Sequence, residues 1–254
     1  MQIRVLGSGT SQGVPVIACD CEVCHSSDKK DYRRRVSLLI EKGDTNVVID
    51  TGPDFREQML LAKVKHLDAV VFTHEHKDHV AGLDDIRAFN FKMNGKAMDV
   101  YATSRVQDAL KREFSYVFEE NKYPGVPEIK LNAVGNEPLV IGDAQLFPID
   151  VMHYKLPVKA YRIDDFAYVT DANYISEEEK QKLLGLDVLI LNALRKEKHI
   201  SHYNLEEAIE LVNELKPKKT YLTHISHLMG KHEDVQKILP DHIELAYDGL
   251  EIQF

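Results

Sequence analysis

The sequence predicts an α/β fold in which two β-sheets pack face to face between outer helices, a four-layer αββα sandwich. Short apolar runs typical of strands recur in both halves of the chain. Helical patterns separate these runs in each half, and several of them begin at capping residues. No low-complexity segment or linker divides the chain, so one domain is expected over residues 1–254.

In the first half, strands and helices follow one another closely. Two β-branched runs at 36–40 and 46–50 flank a Gly-Asp pair and predict a β-hairpin. Ser104 and Gln107 have the spacing of a capping box, which predicts a helix from Ser104 toward Val117. The other predicted elements are a first strand at 1–6, a helix after Pro53, a strand at 67–72, a helix at 82–91 and a strand at 99–102.

The second half repeats this organisation. Capping-box spacings at Ser176 and Asn204 predict two helices, the first ending near Gly185 and the second, clearly amphipathic, stopping before Pro217. The other predicted elements are two strands within 139–151, a hairpin at 161–170, strands at 187–192 and 220–223, a helix at 233–239 and a last hairpin across Asp248-Gly249.

Composition and charge limit the possible function. The 254 residues are 44% hydrophobic and 29% charged, without a stretch near the roughly 20 apolar residues of a membrane helix. The first six residues predict a strand rather than a signal peptide, which indicates a cytoplasmic protein. The formal net charge of −9 argues against nucleic acid as a partner. The basic run at 29–35 is expected to be a solvated loop, with phosphate contact as the alternative.

The segment after the strand at 67–72 is the strongest indication of chemistry. Within six residues it holds four metal-binding side chains: His74, His76, Asp78 and His79. Neutral imidazole and carboxylate suit zinc, manganese or iron, and one such segment can serve two adjacent ions. The alternative is a polar loop with three solvated histidines, a pattern that seldom arises by chance.

Three cysteines form a second cluster. Cys19, Cys21 and Cys24 are the only cysteines of the chain, and such clustering indicates metal rather than disulfides. Their thiolates would leave one tetrahedral position for a histidine from elsewhere, because His25 is too close in sequence to complete the chelate. This predicts a zinc-binding loop at about 18–35. A redox pair formed by Cys21 and Cys24 is the alternative, but the usual strand-then-helix context is missing.

Three further residues stand just after apolar runs. His153, Asp171 and His224 each follow a predicted strand, where a sheet brings side chains to one edge. Each alone is an ordinary strand-end residue. Together they supply the ligands that a two-metal site would still need, and Asp171 could bridge two ions.

These motifs, in this order, resemble the metallo-β-lactamase superfamily, in its PhnP-like branch of phosphoribosyl cyclic phosphodiesterases. The resemblance covers nearly the whole chain and includes the segments at 7–10, 50–52 and 223–227 as well as the cysteine motif. It implies that His227 completes a structural zinc site with the three cysteines. It also implies that His202 lies near the scissile phosphate. The alternatives are a solvated His227 and a His202 that only neighbours a helix start.

The resemblance further implies a metal-dependent hydrolase that cleaves a small cyclic or simple phosphodiester with a metal-bridging hydroxide. Its catalytic residues would be Asp78, which orients the nucleophile, and His202, which assists the leaving group. The cofactors would be two catalytic Mn²⁺ or Zn²⁺ ions and one structural Zn²⁺. The ligands would be His74, His76 and His153 for one catalytic ion, Asp78, His79 and His224 for the other, and Asp171 for both.

The same residues are also compatible with other functions. An RNA-processing endonuclease resembling tRNase Z is the main alternative, although no long Gly/Pro-rich arm stands between Asp171 and His224. Lactam or thioester hydrolysis fits the ligand set less well, and an iron-bound oxidoreductase would need a flavin domain. A non-catalytic metal-binding regulatory module is the alternative from another class. Relatives commonly form homodimers, but no sequence feature identifies an interface.

Overall fold

In the computed structural model, which describes all 254 residues, two mixed β-sheets form the middle of the molecule and helices cover both outer faces. This confirms the predicted αββα sandwich. Toward one edge of each sheet, neighbouring strands pair antiparallel. Toward the opposite edge of the same sheet, they pair parallel. The carboxyl ends of the parallel strands meet at one edge, where ligands of α/β proteins usually bind.

The first sheet has seven strands in the order β15-β1-β2-β3-β4-β5-β6. Their bounds are Gln2–Gly7 (β1), Ser37–Lys42 (β2), Thr45–Ile49 (β3), Ala69–Val71 (β4), Met98–Ala102 (β5), Ile129–Ala133 (β6) and Glu251–Gln253 (β15). The predicted hairpin is the β2–β3 pair, with Leu38 opposite Ile49.

The second sheet has eight strands, with β7 attached to β8 beside the order β11-β8-β9-β10-β12-β13-β14. Their bounds are Leu139–Ile141 (β7), Ala144–His153 (β8), Leu156–Ile163 (β9), Phe166–Val169 (β10), Tyr174–Ile175 (β11), Val188–Asn192 (β12), Lys219–Thr223 (β13) and Ile243–Leu245 (β14).

Eight α-helices and three short 3₁₀ helices connect the strands. The α-helices are Phe55–Leu61 (α1), Lys77–Val80 (α2), Arg87–Lys92 (α3), Ser104–Glu113 (α4), Ser115–Phe118 (α5), Glu177–Gln181 (α6), Leu205–Leu215 (α7) and His232–Gln236 (α8). The 3₁₀ helices are Lys29–Asp31, Leu83–Ile86 and His227–Met229. None of the helices combines the length and apolar character that crossing a bilayer requires.

Three buried apolar clusters hold the layers together. The cluster between the sheets joins residues of both, for example Ile40 and Val47 of the first with Tyr161 and Ile190 of the second. A second cluster packs α1, α3 and α4 on the first sheet, and a third packs α7 and α8 on the second. Burial of the two sheets against each other accounts for the near-continuous apolar runs of the parallel strands. The single domain stays a prediction.

Two of the predicted helix caps are present and one is wrong. Ser176 caps α6 by accepting from the Glu179 backbone N–H, and Asn204 caps α7 with both halves of a capping box. The cap of α4 is Thr103 rather than Ser104. Gln107 donates to the carbonyl of Ala102 instead of reaching back to the cap, so the expected box does not form.

Two predicted elements also differ from the structure. The last hairpin does not exist, because β14 pairs with β13 in the second sheet and β15 pairs with β1 in the first. The chain crosses between the sheets around Asp248, whose side chain accepts from the Ser8 and Arg34 backbone N–H groups. The helix predicted at 82–91 divides into a 3₁₀ turn and α3.

The basic run at 29–35 is only partly solvated: Lys29 and Lys30 are exposed, whereas Asp31 and Arg33 are buried. Arg33 is only 3% exposed, donates to the Ser8 hydroxyl and the Ala246 carbonyl, and contacts His232 Nδ1 at 3.2 Å. Arg34 pairs with Glu57 and Asp248. These contacts join the N-terminal loop to the C-terminal part of the chain. The expectation of a solvated loop is therefore wrong for Arg33 and Arg34, but it agrees with the exposed Lys29 and Lys30.

Candidate metal centre

The segment after β4 leaves the core at His74, reaches the surface at His76 and Lys77, and returns to the interior at Asp78 and His79. His74 is fully buried, whereas His76 is exposed at the open side of the sheet edge and directly precedes α2. His74 Nε2 and His76 Nδ1 lie 3.0 Å apart, so the two rings converge on one point. Asp78 and His79 lie in the first turn of α2, and both side chains are buried.

Three other strand ends deliver side chains to the same edge, each through a left-handed backbone. Asp50, Asp171 and His224 have φ angles of 63°, 55° and 56°. Asp, Asn and His occupy this region more readily than other non-glycine residues, although it still costs free energy. These three residues therefore carry backbone strain at the points where polar groups converge.

The tightest part of the cluster contains Asp78, His79, Asp171 and His224. His79 Nε2 lies 3.2 Å from oxygens of both Asp78 and Asp171, and His224 Nε2 lies 3.1 Å from Asp171 Oδ1 and 3.7 Å from Asp78 Oδ2. Both Nε2 atoms are buried and make no hydrogen bond. Ligand bonds of 2.0–2.2 Å in a tetrahedral site place neighbouring donor atoms about 3.4 Å apart. These four side chains therefore fit one divalent cation.

The charges of Asp78, His79, Asp171 and His224 also favour a bound cation. Burial opposes ionisation of Asp171, but the charges of His224 and His79 hold its pKa well below its usual value. Burial likewise opposes protonation of His79, yet Asp78, Asp171 and Asp50 raise its pKa well above the ordinary range. Two buried carboxylates beside imidazoles thus require positive charge between them, which a divalent cation supplies while leaving the imidazoles neutral.

The remaining predicted residues lie on the other side of Asp171. The ring of His153 lies 5.2 Å from that of His76 and 5.8 Å from that of His74, between ring centres. Ligand atoms of His153, Asp171 and His202 all lie within 4.8 Å of one another. All seven side chains predicted as ligands thus lie at one sheet edge, and Asp171 belongs to both halves of the cluster.

His202 lies above this cluster, just before α7. Its ring is 7% exposed, stacks on His224 at 4.7 Å between ring centres, and has no hydrogen-bond partner at Nδ1. Burial, followed by the nearby His224, lowers the pKa of His202 to about 2. The imidazole is therefore neutral, a form that can donate one N–H to a bound group.

Neighbouring groups orient two of the histidines. Asp50 Oδ2 lies 2.7 Å from His79 Nδ1 and also accepts from the Thr73 hydroxyl, so the proton of His79 sits on Nδ1 and Nε2 faces the cluster. His153 Nδ1 donates to the Ser201 carbonyl at 2.8 Å. Asp50 lies in the 50–52 segment that contributes to the family resemblance, but no role was predicted for it. Its position just after β3 matches that of the other strand-end residues and was the available signal.

The cysteine cluster forms a second candidate site. The Sγ atoms of Cys19, Cys21 and Cys24 lie 3.2, 3.3 and 3.6 Å from His227 Nδ1, and no disulfide links them. Zn–S and Zn–N bonds of tetrahedral zinc put sulfur and nitrogen about 3.5 Å apart. The Val16 N–H contacts Cys24 Sγ, and the Cys24 N–H contacts Cys21 Sγ and lowers the pKa of that thiol to about 6. The exposed ring of His25 points to the Cys21 carbonyl instead.

An open pocket of about 420 Å³ adjoins the His76 and His153 side of the centre. Arg105 and Lys155 line it together with Tyr154 and Ile200. A substrate held at the centre can therefore extend into it.

Comparison with known proteins places this geometry in a family. The model of a beta-lactamase superfamily domain matches residues 45–225. A solved structure described as a new diphosphatase from the PhnP family is 40% identical, with a TM-score of 0.94, and the match covers all of this chain and 96% of that one.

Two curated proteins add context. An octanoyltransferase of Porphyromonas gingivalis is 41% identical over 254 residues, but the chain spans only 51% of its length. A Ribonuclease Z of a Bradyrhizobium species is 26% identical over 121 residues, which are 46% of this chain and 39% of that protein. By the family model and by the likeness to the diphosphatase, this chain belongs to the metallo-β-lactamase superfamily of metal-dependent hydrolases, in its PhnP family.

Proposed function

We propose that the chain hydrolyses a small phosphodiester, either a cyclic phosphate such as a phosphoribosyl cyclic phosphate or a simple diester. Esters of diphosphate are included, since the PhnP-family relative is described as a diphosphatase. The observation that carries the proposal is the position of Asp171 between two groups of buried imidazoles and carboxylates. An arrangement of this kind suits two neighbouring ions and the negative charge of a phosphate.

In this proposal His74, His76 and His153 hold one cation, Asp78, His79 and His224 hold the other, and Asp171 contacts both. Oxygen and imidazole donors without thiolate admit Mn²⁺ or Zn²⁺. When bound, such a pair supplies Lewis acidity toward phosphate oxygens and acidifies water. The third ion, a structural Zn²⁺, belongs to Cys19, Cys21, Cys24 and His227.

The protein side chains then have separate tasks. Asp78 has a carboxylate oxygen within 3.7 Å of both His79 and His224, so it can accept a hydrogen bond from the attacking water and orient it. His202 donates its N–H to the phosphoryl or leaving oxygen as a neutral ring, because burial disfavours the imidazolium form. His202 thus assists the leaving group, as expected from the resemblance, by donating a hydrogen bond.

The likeness to the octanoyltransferase does not support acyl transfer as the activity of this chain. The match covers about half of that longer protein, and the cluster described above has the composition of a hydrolytic metal centre. Ribonuclease activity is the second candidate because of the Ribonuclease Z relative. Between Asp171 and His224, however, the chain consists of β11, α6, β12, α7 and β13, without an extended arm for tRNA.

The experiment is a turnover assay with bis(p-nitrophenyl) phosphate, a 2′,3′-cyclic nucleotide and a dinucleoside diphosphate, each with added Mn²⁺ or Zn²⁺. We expect turnover of at least one of them, and a loss of roughly 10³-fold or more in kcat for Asp171→Asn, because the carboxylate shared by both groups is removed. Circular dichroism confirms that the variant is folded. Absence of turnover with every metal would contradict the proposal, and cleavage of precursor tRNA alone would establish the ribonuclease instead.

A further inference from the structure

We propose that the open pocket beside the candidate metal centre is a specificity subsite for a planar aromatic ring that carries a second anionic group, as in a nucleotide. The inference rests on the proposed function, because it concerns the part of the substrate that does not react. Four residues form the subsite: Tyr154, Lys155, Arg105 and Ile200.

The pocket lies directly beside the candidate metal centre. His76 and His153 are part of its wall and also part of the metal cluster. The cavity adjoins the cluster, and its volume of about 420 Å³ accommodates a nucleoside-sized substituent of a phosphate held there.

Tyr154 occupies a backbone position that favours glycine. His153 pairs with Leu156 in the β8–β9 hairpin, so Tyr154 and Lys155 are its two turn residues. Tyr154 has a φ of 58°, and the first position of such a turn with positive φ is ordinarily Gly, Asn or Asp. Its ring is 50% exposed, so the side chain gains little from burial. A bulky ring at a strained, exposed position next to a candidate ligand indicates a binding role.

The turn is held in place by Asn173. The Tyr154 N–H donates to Asn173 Oδ1 at 2.6 Å, and the Asn173 amide donates to the Ile200 carbonyl at 3.2 Å. One side chain thus fixes the two apolar parts of the pocket relative to each other. Ile200 is 67% exposed, and an exposed aromatic ring near an exposed aliphatic group suits the two faces of a planar ligand.

The charge of the pocket complements an anion. Lys155 is exposed, and its Nζ lies over one face of the Tyr154 ring, 5.3 Å from the ring centre. A planar ligand therefore stacks on the other face of Tyr154, with an anionic substituent at its edge directed toward Lys155. Arg105 uses Nε on Glu75, but its two terminal nitrogens have no protein partner. Lys155 and Arg105 are thus the two cations that line this cavity, and Glu75 pairs with one of them.

The test compares three cyclic phosphates that share the reacting group: glycerol 1,2-cyclic phosphate, adenosine 2′,3′-cyclic phosphate and its 5′-phosphorylated form. For the wild type we expect kcat/KM to rise along the series. Tyr154→Gly should lower kcat/KM for both nucleotides by about 10-fold and change the glycerol substrate by less than about twofold, since glycine suits the turn and removes only the ring. Tyr154→Phe should restore the nucleotide values.

The charged residues are tested with the same series. Lys155→Gln and Arg105→Gln should each remove most of the gain due to the 5′-phosphate, and the glycerol substrate reports any disturbance of the centre through Glu75. Tyr123→Gly, at an exposed tyrosine that does not line the pocket, is the matched control. If the variants lowered kcat/KM equally for all three substrates, or did not lower it for any of them, the subsite would be refuted.

A binding measurement separates this inference from the proposed function. Calorimetric titration with AMP, in the presence and absence of Mn²⁺, should show affinity at least about 10-fold weaker for Tyr154→Gly than for the wild type. If none of the three substrates is hydrolysed but AMP binding still depends on Tyr154, the proposed function fails and the subsite stands. Equal AMP affinity of the two proteins would refute the subsite, whatever the turnover.

Discussion

The two candidate metal sites are neighbours built on different principles. His224 belongs to the His/Asp centre and His227, three residues later on the same loop, to the cysteine site. The His/Asp centre draws its side chains from several strand ends far apart in the sequence, and most of them are buried. The cysteine site takes three of its four side chains from a six-residue loop, and all four are partly exposed.

Their supporting contacts differ in the same way. Asp50 and the Ser201 carbonyl fix two rings of the His/Asp centre, and both sheets carry its residues. The cysteine site relies on backbone N–H groups of the loop itself and on His227. The difference indicates that folding itself arranges the His/Asp centre, whereas an ion bound at the cysteine site would attach a loop that lacks regular strands or long helices.

The comparison is tested most strongly by removing the cysteine site. Replacing Cys19, Cys21 and Cys24 with serine should lower the metal content from about three ions per chain to about two. The free energy of unfolding should fall by about 3 kcal/mol, which lowers Tm by roughly 10 °C, because the loop loses its attachment. Elemental analysis and thermal unfolding measure the two effects, while kcat/KM of the folded variant at 25 °C stays within about 10-fold of the wild type.

The control for this change is His25→Asn, at the exposed histidine next to Cys24, which should retain all ions and full stability. Loss of the catalytic pair before the cysteine-bound ion would contradict the division into two sites. So would a triple variant with unchanged Tm.

A smaller effect is expected from loosening the His/Asp centre without removing a ligand. Asp50→Asn keeps the shape of the side chain but removes the charge that balances His79, so metal affinity or kcat/KM should fall by about 10–100-fold. Zinc at the cysteine site should be unaffected. Metal titration followed by activity assays measures both, with Asp44→Asn in the exposed β2–β3 turn as control. An unaltered centre in Asp50→Asn would show that the sheet edge alone orients His79.

The two sites also differ in how far their residues could be predicted from the sequence. The seven His and Asp side chains were found from their residue types and from the rule that strands deliver side chains to one edge, and the structure brings all seven together. The role of Asp50 was not predicted, although it follows β3 as the ligands follow their strands. A strand-end position does not tell a residue that orients a ligand from the ligand itself, and its partner His79 stands 29 residues away. His227 was assigned only through the family resemblance, since spacing alone required a histidine without specifying which one.

Elsewhere, errors arose where local patterns compete with tertiary pairing. A Gly at a turn predicted a hairpin across Asp248, but β14 and β15 extend different sheets, and only the contacts of Ser8 and Arg34 with Asp248 reveal the crossing. The basic run was expected in solvent because charges usually are. Arg33 is buried instead because the Ser8 hydroxyl and the Ala246 carbonyl accept its hydrogen bonds.

The smallest expected effect concerns the support beneath the cysteine site. His232 is buried against Arg33 five residues after His227, and burial, followed by the charge of Arg33, lowers its pKa to about 4. In the unfolded chain His232 binds a proton near pH 6.5, whereas in the folded chain it does so only near pH 4. The free energy of unfolding therefore decreases as the pH falls from about 6.5 to about 4. His232→Asn retains an acceptor for Arg33 without titrating, and should lose less stability between pH 6.5 and pH 4.5 by on the order of 1 kcal/mol. Urea unfolding of both proteins at the two pH values measures the difference; parallel losses would mean that acid acts on this region through the metal ligands rather than through His232.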